Sequence, residues 1–508
     1  MGYQQISFNL PTDYTKEDLR QKIAKKLRLT EFTYHIENKS LDARNKKDIH
    51  WQIKVEVFAK SIKGFLPKPP KLKITFKNRK QKVLVVGSGP AGFFSAYVLQ
   101  KAGFQTTIIE QGKEVIGRAK GIKKFEATGI FDVTANYAFG EGGAGTFSDG
   151  KLTARSKHAS LEKQFVLDSY IEAGAPEEIT YLAHPHLGSD NLISLVKKLR
   201  EMFQEIGGKI EFETSLVDIV VKKGKVVEAK TSIGILEADY FIVAPGHSSY
   251  STYRMLLKRG VKFSSKNFAI GARVEHPQTL INKAQWGKEN LPGLTSAEYR
   301  LTYNSPNSSS VYSFCMCPGG VIVPSTSIAG SSTVNGMSFY KRNGQFANAA
   351  CVVALNLNNL LQKEVSAIES LDWVEQLEQS FYQATNSYKI PTCSISDFIT
   401  GKDVRPLTVT SYPLGVVASP LWEMLPATIS SSLKEGLIDF SKKLKGFEEG
   451  QIMGLESKTS APIQALRDEQ MSCVGFDNLY VVGEGSGYSG GIISSAVDGI
   501  KIAMNLIK

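Results

Sequence analysis

Cysteine is scarce in this chain, and its few residues do not form regularly spaced pairs. They are Cys315, Cys317, Cys351, Cys393 and Cys473 in a chain of 508 residues. A secreted protein held together by disulfides would carry a denser and even-numbered set. The cysteine content therefore predicts a reducing compartment, and we expect a cytoplasmic protein.

Long apolar segments are missing as well. No uninterrupted apolar run approaches the roughly 18 residues that a membrane-spanning helix needs. Residues 1–10 are interrupted by polar side chains and lack the apolar core of a secretory signal. The sequence also lacks Cys and His clusters with metal-ligand spacing. We expect neither a membrane span nor a metal site.

Positive charge is in excess, but it is concentrated at one end. Residues 1–80 hold 19 of the 61 Lys and Arg and only 8 of the 49 Asp and Glu, so the other 428 residues are nearly neutral. A basic module can bind nucleic acid, anionic lipid or an acidic partner, or it can simply present a solvated face. No aromatic RNA-binding pattern accompanies the charge. Nucleic acid is therefore a possible partner that the sequence does not favour.

A glycine turn between two apolar strands is the strongest positive signal. The strand at residues 82–86 runs into a G-x-G-x-x-G pattern, an apolar helix follows, and a second strand ends at Glu110. The first glycine permits the sharp turn, the second lets the backbone approach a pyrophosphate, and the third lets the helix pack against the strand. The helix start would bind phosphate, and Glu110 would accept a ribose hydroxyl. The predicted contacts are Gly87, Ser88, Gly89, Pro90, Ala91, Gly92, Glu110, Gln111 and, further along, Arg118.

A second glycine turn lies at the far end of the chain. An apolar strand at residues 479–482 enters it, and an apolar helix follows. A third strand, at residues 241–243, also ends in a turn. Glycine turns at both ends predict one cofactor bound by both, with Glu484 accepting a ribityl or ribose hydroxyl and the helix start facing a flavin pyrimidine edge. The cofactor is then FAD, and the predicted contacts are Ala244, Gly246, Gly483, Glu484, Gly490, Gly491 and Ile492.

The segment at residues 140–151 repeats the glycine pattern, but no apolar strand precedes it. A second dinucleotide-binding domain is therefore not expected. We predict instead that its backbone N–H groups surround the pyrophosphate and ribityl groups, with Lys151 neutralising negative charge. The contacts expected here are Gly142, Gly143, Ala144, Gly145, Thr146 and Lys151.

Four segments together resemble the bacterial FAD-dependent dehydrogenase family, a group of NAD(P)/FAD-dependent oxidoreductases within the two-dinucleotide-binding-domain flavoproteins. They are residues 87–110, 140–152, 314–320 and 483–485. More distant relatives include geranylgeranyl reductases and aromatic hydroxylases. The resemblance covers residues 81–508 and implies bound FAD and an oxidoreductase fold, but it does not imply a substrate. In relatives, the backbone at the position of Val217 lies over the adenine.

The expected fold is α/β. A Rossmann-like FAD-binding domain is predicted at residues 81–250 and 456–508, with an inserted α+β substrate or cap domain at 251–455 and a small basic α/β domain at 1–76. In the small domain, alternating apolar residues predict strands near residues 6–10, 32–37 and 51–57, with a helix capped at Thr15 between the first two. Residues 67–70 read as a proline-rich linker, and Leu72, Ile74 and Phe76 predict an edge strand after it.

Catalytic chemistry is less well defined. A C-x4-C electron relay next to the first glycine turn is excluded, since no cysteine precedes Cys315. Cys315 and Cys317 form a close pair that is either redox-active through a strained disulfide or a structural pair of small apolar residues. Tyr488 is a candidate for contact with the isoalloxazine, and Lys151 is a further candidate. None of the four can be assigned a catalytic role from the sequence.

The predicted function is hydride exchange between flavin N5 and an unidentified small-molecule substrate. NAD(P)H could serve as a transient electron donor, but no domain of its own is predicted to hold it. The alternative is a flavin-carrying binding protein whose basic N-terminal module recognises nucleic acid. The sequence leaves the oligomeric state open.

Overall fold

The computed structural model describes residues 2–64, 70–153, 160–305, 309–402, 404 and 409–508. The N-terminal elements are β1 (Gly2–Pro11), α1 (Lys16–Leu27), β2 (Thr33–Asp42) and β3 (His50–Ala59). The strands form an antiparallel sheet in the order β1-β3-β2. Thr15 caps α1, since its hydroxyl accepts the N–H of Asp18 and the Asp18 carboxylate accepts the N–H of Thr15. The predicted strands and cap are confirmed here.

The edge strand predicted at Leu72, Ile74 and Phe76 is wrong. Residues 70–81 contain no strand, and Phe76 is exposed. The segment's backbone N–H groups at Lys77 and Arg79 donate to the carbonyls of Ala102 and Gly103, and Leu72 and Ile74 pack against the core without strand pairing. Alternating apolar residues need a neighbouring strand to form a ladder, and none lies beside this segment. Of the predicted linker, residues 67–69 lie outside the described residues.

The next part of the chain builds a parallel sheet with helices, followed by a small meander. Its elements are β4 (Lys82–Val86), α2 (Pro90–Lys101), β5 (Gln105–Ile109), α3 (Val115–Thr128), α4 (Ser160–Glu172), α5 (Gly188–Glu205), β6 (Lys209–Glu211), β7 (Leu216–Lys222), β8 (Lys225–Thr231), β9 (Gly234–Leu236), β10 (Tyr240–Val243) and α6 (Tyr250–Lys258). The strands β7, β8 and β9 pair in sequence as an antiparallel meander.

The following part of the chain builds a larger, mostly antiparallel sheet with helices and short strands around it. Its elements are β11 (Phe263–Ser265), β12 (Phe268–Pro277), α7 (Gln278–Trp286), β13 (Thr302–Tyr303), β14 (Val311–Cys317), β15 (Val321–Pro324), β16 (Val334–Met337), β17 (Phe346–Leu355), α8 (Leu357–Leu361), α9 (Ala367–Thr385), β18 (Ile390–Ser394), α10 (Ile395–Thr400), β19 (Val416–Ala418), α11 (Leu421–Met424), α12 (Ala427–Lys443) and β20 (Gln451–Glu456). Seven strands pair in the order β13-β14-β17-β12-β20-β18-β19. Helices α9, α10 and α12 contribute buried apolar side chains to the largest core.

The chain then returns to the parallel sheet through β21 (Ile463–Ala465), β22 (Leu479–Val481) and α13 (Ile492–Ile507). The sheet order is β22-β10-β4-β5-β6, with every neighbouring pair parallel. Gly499 allows α13 to lie directly on α2, because a Cβ there would stand 2.1 Å from the carbonyl oxygen of Ala91. The fold is α/β. Its Rossmann-like unit combines strands from the first part of residues 82–507 with β22 and α13 from the end of that range.

Across the described residues, no helix combines the length and apolar character needed to cross a bilayer.

Candidate functional site

Three glycine turns meet at one edge of the parallel sheet. Strands β4, β10 and β22 are neighbours and run parallel, so their carboxyl ends lie together. The contacts are tight: a Cβ on Gly87 would stand 2.3 Å from the carbonyl oxygen of Ala244, and one on Gly483 would stand 2.5 Å from the Cβ of Ala91. Both glycines also have positive φ. The structure therefore brings together the turns that the sequence separates by almost four hundred residues.

The glycine-rich segment 140–151 lies between the N-termini of α2 and α13. A Cβ on Gly143 would stand 3.0 Å from the Cα of Gly89, which precedes α2. A Cβ on Gly145 would stand 2.9 Å from Cγ1 of Ile492, in the first turn of α13. Residues 144–147 form a short 3-10 helix with Thr146 buried. This segment thus joins the first and last glycine turns into one site.

Glu110 occupies the end of β5 and is buried. Its Oε2 accepts the N–H of Ser88 at 2.9 Å and the hydroxyl of Ser88 at 2.8 Å. Its Oε1 accepts the N–H groups of Gly112 and Gly140, each at 3.0 Å. The carboxylate therefore ties the first glycine turn to the 140–151 segment. Contact between Glu110 and a ribose stays a prediction.

Arg118 is fully buried and hydrogen-bonds the same glycine-rich segment. Its guanidinium donates to the carbonyl oxygens of Asn136, Tyr137, Glu141 and Gly143 at 2.7–2.9 Å. Burial lowers its pKa to about 10. Because its N–H groups donate to backbone carbonyls, Arg118 would contribute to cofactor binding by fixing the conformation of the glycine-rich segment.

Contact of Val217, Gln111 and Tyr488 with a cofactor stays a prediction. Val217 is largely exposed on β7. Gln111 is half-buried directly after Glu110. The Tyr488 ring is half exposed and is covered on one side by the Arg467 guanidinium, 4.5 Å from its centroid.

The residues of the site fit a bound dinucleotide. Gly89 and Gly491 precede α2 and α13, and within the described residues no side chain caps either helix. Free N–H groups and the positive ends of two helix dipoles therefore point towards one region. No atom of the described residues would lie within 4 Å of a Cβ added at Gly246 or Gly491. Such open space beside uncapped helix ends suits phosphates and ring edges that carry negative charge.

Glu484 is the ionisable group of the C-terminal turn. Burial raises its pKa to about 8, with the positive charge of Lys266 opposing the shift and Cys315 adding to it. The carboxyl is therefore mostly protonated at neutral pH and can donate as well as accept a hydrogen bond. A carboxyl that can both donate and accept a hydrogen bond suits the ribityl or ribose hydroxyl that we expect Glu484 to contact.

Lys151 connects the cofactor side to the seven-stranded sheet. Its Nζ lies 2.9 Å from Oδ2 of Asp149 and donates to the carbonyl oxygen of Met316. Asp149 is also paired with Arg342. Although burial alone would raise it, these two cations hold the pKa of Asp149 well below its usual value. Lys151 thus has an internal partner, and any neutralisation of cofactor charge by it stays a prediction.

Cys315 and Cys317 lie where β14 departs from regular pairing. Phe314 pairs with Ala350 and Cys317 pairs with Asn348, so residues 315 and 316 together face a single residue of β17. The bulge places Cys315 at a φ of 43°. Both thiols are free. The structure therefore puts the cysteine pair next to Lys151, which the sequence alone did not indicate.

Two buried ion pairs were not predicted from the sequence. Arg273 Nε lies 3.0 Å from Oε2 of Glu456, and Lys458 Nζ lies 2.7 Å from Oε1 of Glu378, with all four side chains buried. The signal available in the sequence was the pair of charged residues, Arg273 and Glu275, within the mostly apolar strand β12. His247, which follows the β10 turn, is half-buried, and desolvation lowers its pKa to about 3.

Comparison with known proteins agrees with this architecture. Residues 81–274 match the pyridine nucleotide-disulphide oxidoreductase family, and residues 267–459 match the FAD-dependent protein, C-terminal domain-like family. Residues 3–58 match a domain of unknown function. An uncharacterised protein of Clostridium beijerinckii is 38% identical over 525 residues, covering 99% of this chain and 98% of the relative.

Comparison with solved structures gave only low similarity scores. A geranylgeranyl bacteriochlorophyll reductase-like protein from Thermoplasma acidophilum is 13% identical, over 84% of this chain and 77% of that chain, with a TM-score of 0.36. Glycine oxidase from Bacillus cereus is 12% identical, over 84% of this chain and 95% of that chain, with a TM-score of 0.34.

The fold, the glycine site and the family matches define an FAD-dependent oxidoreductase. The chain belongs to the same family as the uncharacterised Clostridium beijerinckii protein. The FAD-dependent oxidoreductase assignment expected from the sequence is confirmed.

Proposed function

We propose that this chain binds one FAD at the edge formed by β4, β10 and β22 and exchanges a hydride with a small-molecule substrate. The observation that carries the proposal is the convergence of three glycine turns and two uncapped helix N-termini on one open region. Bound FAD would supply two-electron chemistry at its N5 atom. The protein supplies the binding groups, the electrostatics and the substrate pocket.

Different parts of the site serve different parts of the cofactor. Gly89 and the start of α2 bind the pyrophosphate, Glu110 orders the turn beside the adenosine ribose, and Glu484 bonds the ribityl side. The start of α13 faces the pyrimidine edge, where its positive end favours negative charge. The glycines have no side chains that would fill these positions.

The substrate binds on the face of the site bordered by the seven-stranded sheet. Lys151, Cys315 and Tyr488 are the chemically active side chains proposed to line that face. NAD(P)H would reach the same region only transiently, because the parallel sheet has a single strand–turn–helix unit of the dinucleotide type in its described part and we assign that unit to FAD. We expect dissociation constants for NAD(P)H in the high micromolar range or above, about −5 kcal/mol of binding free energy.

Cofactor analysis tests the first half of the proposal. The purified protein should be yellow, and heat should release one FAD per chain that chromatography separates from FMN. FMN alone would contradict the proposal, because the first glycine turn would then have no adenosine pyrophosphate to bind. Protein that cannot be loaded with FAD would contradict it too.

Anaerobic mixing tests the second half. NADH or NADPH in excess should bleach the oxidised flavin absorbance if either is a donor, and a screen of small-molecule reductants should identify one that does so faster. Calorimetry on the oxidised holoprotein measures nicotinamide binding directly. Tight, stoichiometric NAD(P) binding would show a second nucleotide site and overturn the assignment of a single dinucleotide unit to FAD.

A further inference from the structure

The two cysteines at the β14 bulge have opposite environments. Cys315 is partly exposed, whereas Cys317 is completely buried. The Cys317 thiol donates to the carbonyl oxygen of Cys315 at 3.3 Å and also lies close enough to hydrogen-bond the Cys315 sulfur. The bulge places the Cys315 backbone in the left-handed region. The accessible Cys315 sulfur then lies next to the buried Cys317 sulfur.

Positive charge surrounds the accessible sulfur. The Arg273 guanidinium donates to the carbonyl oxygen of Cys315 at 3.3 Å, and Lys151 donates to that of Met316. The hydrogen bond from Cys317, together with the charges of Lys151 and Arg273, lowers the pKa of Cys315 to about 6. The same hydrogen bond and burial raise the pKa of Cys317 well above its usual value. A thiolate therefore faces a protonated thiol at neutral pH.

The other cysteines lack these features. Cys351, Cys393 and Cys473 are buried, and burial raises the pKa of each thiol to about 12. They behave as small apolar residues of the core. Nucleophilic character is thus confined to the bulge.

The pair is also linked to the cofactor side of the protein. Lys151, which contacts the bulge, is the last residue of the glycine-rich segment 140–151. In addition, the charge of Cys315 contributes to the raised pKa of Glu484 in the C-terminal glycine turn. The Cys315 sulfur therefore lies close enough to the C-terminal glycine turn, which we assign to FAD, for its charge to act on Glu484.

We propose that Cys315 and Cys317 are a redox-active pair that exchanges two electrons with bound FAD, and that the substrates are thiols and disulfides. The proposal rests on the FAD site described above. It differs from a C-x4-C relay, because the pair lies on β14 of the seven-stranded sheet and not beside the first glycine turn.

In the direction of disulfide reduction, the pair reacts in three steps. The Cys315 thiolate attacks an external disulfide, forms a mixed disulfide and expels one thiolate. The Cys317 sulfur, deprotonated as it reacts, then attacks Cys315, expels the second thiol of the substrate and closes a Cys315–Cys317 disulfide. Two electrons and two protons, delivered with reduced FAD as the donor, return the pair to the dithiol. A C-x-C disulfide closes a small strained ring, which makes it readily reducible.

Counting electrons in the holoprotein tests this proposal. The protein is oxidised with diamide, freed of reagent, and titrated anaerobically with dithionite. We expect four electrons per bound FAD in the wild type, two for the flavin and two for the pair. Cys315→Ser and Cys317→Ser should each accept two, whereas the matched control Cys393→Ser should accept four. A wild-type protein that binds FAD but accepts only two electrons overturns the proposal.

Thiol mapping provides a second measurement that does not depend on FAD. After mild oxidation, peptide mass spectrometry should find Cys315 and Cys317 joined and the other three cysteines free. In the reduced protein, Cys315 should be alkylated by iodoacetamide with an apparent pKa near 6. If the oxidised protein still alkylates at both positions, the pair is not redox-active. Loss of FAD binding with an intact thiol pair would instead count against the FAD site.

Discussion

Oε1 of Glu110 accepts the backbone N–H of Gly140 at 3.0 Å, and this bond joins the end of β5 to a segment thirty residues further along. Oε2 of the same carboxylate accepts the N–H of Ser88 at 2.9 Å. One buried side chain thus holds two glycine-rich segments together. The group that the sequence predicts for ribose binding therefore also shapes the two turns to which we assign the cofactor.

Replacing Glu110 should weaken both the protein and its hold on FAD. In Glu110→Ala, several buried N–H groups lose a charged acceptor, and each charge-assisted hydrogen bond contributes about 1.5–3 kcal/mol. We expect the cofactor-free protein to lose at least that much unfolding free energy in urea, and FAD to dissociate roughly ten- to a hundredfold more readily. The exposed Glu237→Ala serves as a control. Unchanged FAD retention in Glu110→Ala would contradict the assignment of this turn.

The ion pair between Arg273 and Glu456 should be costly to break. Both side chains are fully buried, so Arg273→Met leaves an unpaired carboxylate in the core. Breaking one partner of a buried pair typically costs about 3–5 kcal/mol. The double variant Arg273→Met with Glu456→Leu should recover much of that loss in chemical denaturation. If the double variant is as unstable as the single one, the ion pair is not the source of the effect.

The raised pKa of Glu484 should appear in the pH dependence of stability. The folded protein holds a proton on Glu484 up to about pH 8, while the unfolded chain releases it near 4.5. Folded protein therefore binds more protons between these values, and its free energy of unfolding falls as the pH rises through that window. One proton corresponds to a slope of up to about 1.4 kcal/mol per pH unit.

The variant Glu484→Gln isolates this contribution. Other buried carboxyls, such as Glu141 and Glu456, also have pKa values raised to about 7 by burial, so the informative quantity is the difference between wild type and variant. Urea denaturation of the cofactor-free proteins should show the wild type losing stability relative to Glu484→Gln between pH 5 and 8. The exposed Glu469→Gln should follow the wild type. Parallel curves for wild type and Glu484→Gln would refute the raised pKa.

The basic N-terminal elements should not bind RNA. Three of their rings already have a cation against them: the Lys39 ammonium lies 4.3 Å from the Trp51 ring and 4.9 Å from the Tyr14 ring, and the Arg20 guanidinium lies 4.6 Å from the Phe32 ring. We expect no salt-dependent change in the fluorescence anisotropy of a labelled single-stranded RNA titrated with the full chain. Binding that falls steeply with salt and is lost in Lys22→Glu with Lys25→Glu would favour the nucleic-acid alternative.

Local patterns in the sequence were enough to predict much of the architecture. Glycine spacing and apolar periodicity predicted the β4–turn–α2 unit and the capped helix α1, because these features depend on the conformational preferences of neighbouring residues. The same local reasoning was wrong for Leu72, Ile74 and Phe76. A strand exists only where another strand lies beside it, and that is decided by residues elsewhere in the chain.

The charge interactions within the site depend on contacts that form only in the folded protein. Lys151 meets the carbonyl of Met316 across 165 positions of sequence, and Asp149 meets Arg342 across 193. Burial then changes the chemistry of groups that look ordinary in the sequence, raising the pKa of Glu484 and, through contacts with Cys317, Lys151 and Arg273, lowering that of Cys315. Spacing along the chain reveals where the backbone can turn. Charge interactions act through space over a few ångströms, so only the packed protein decides which side chains become reactive.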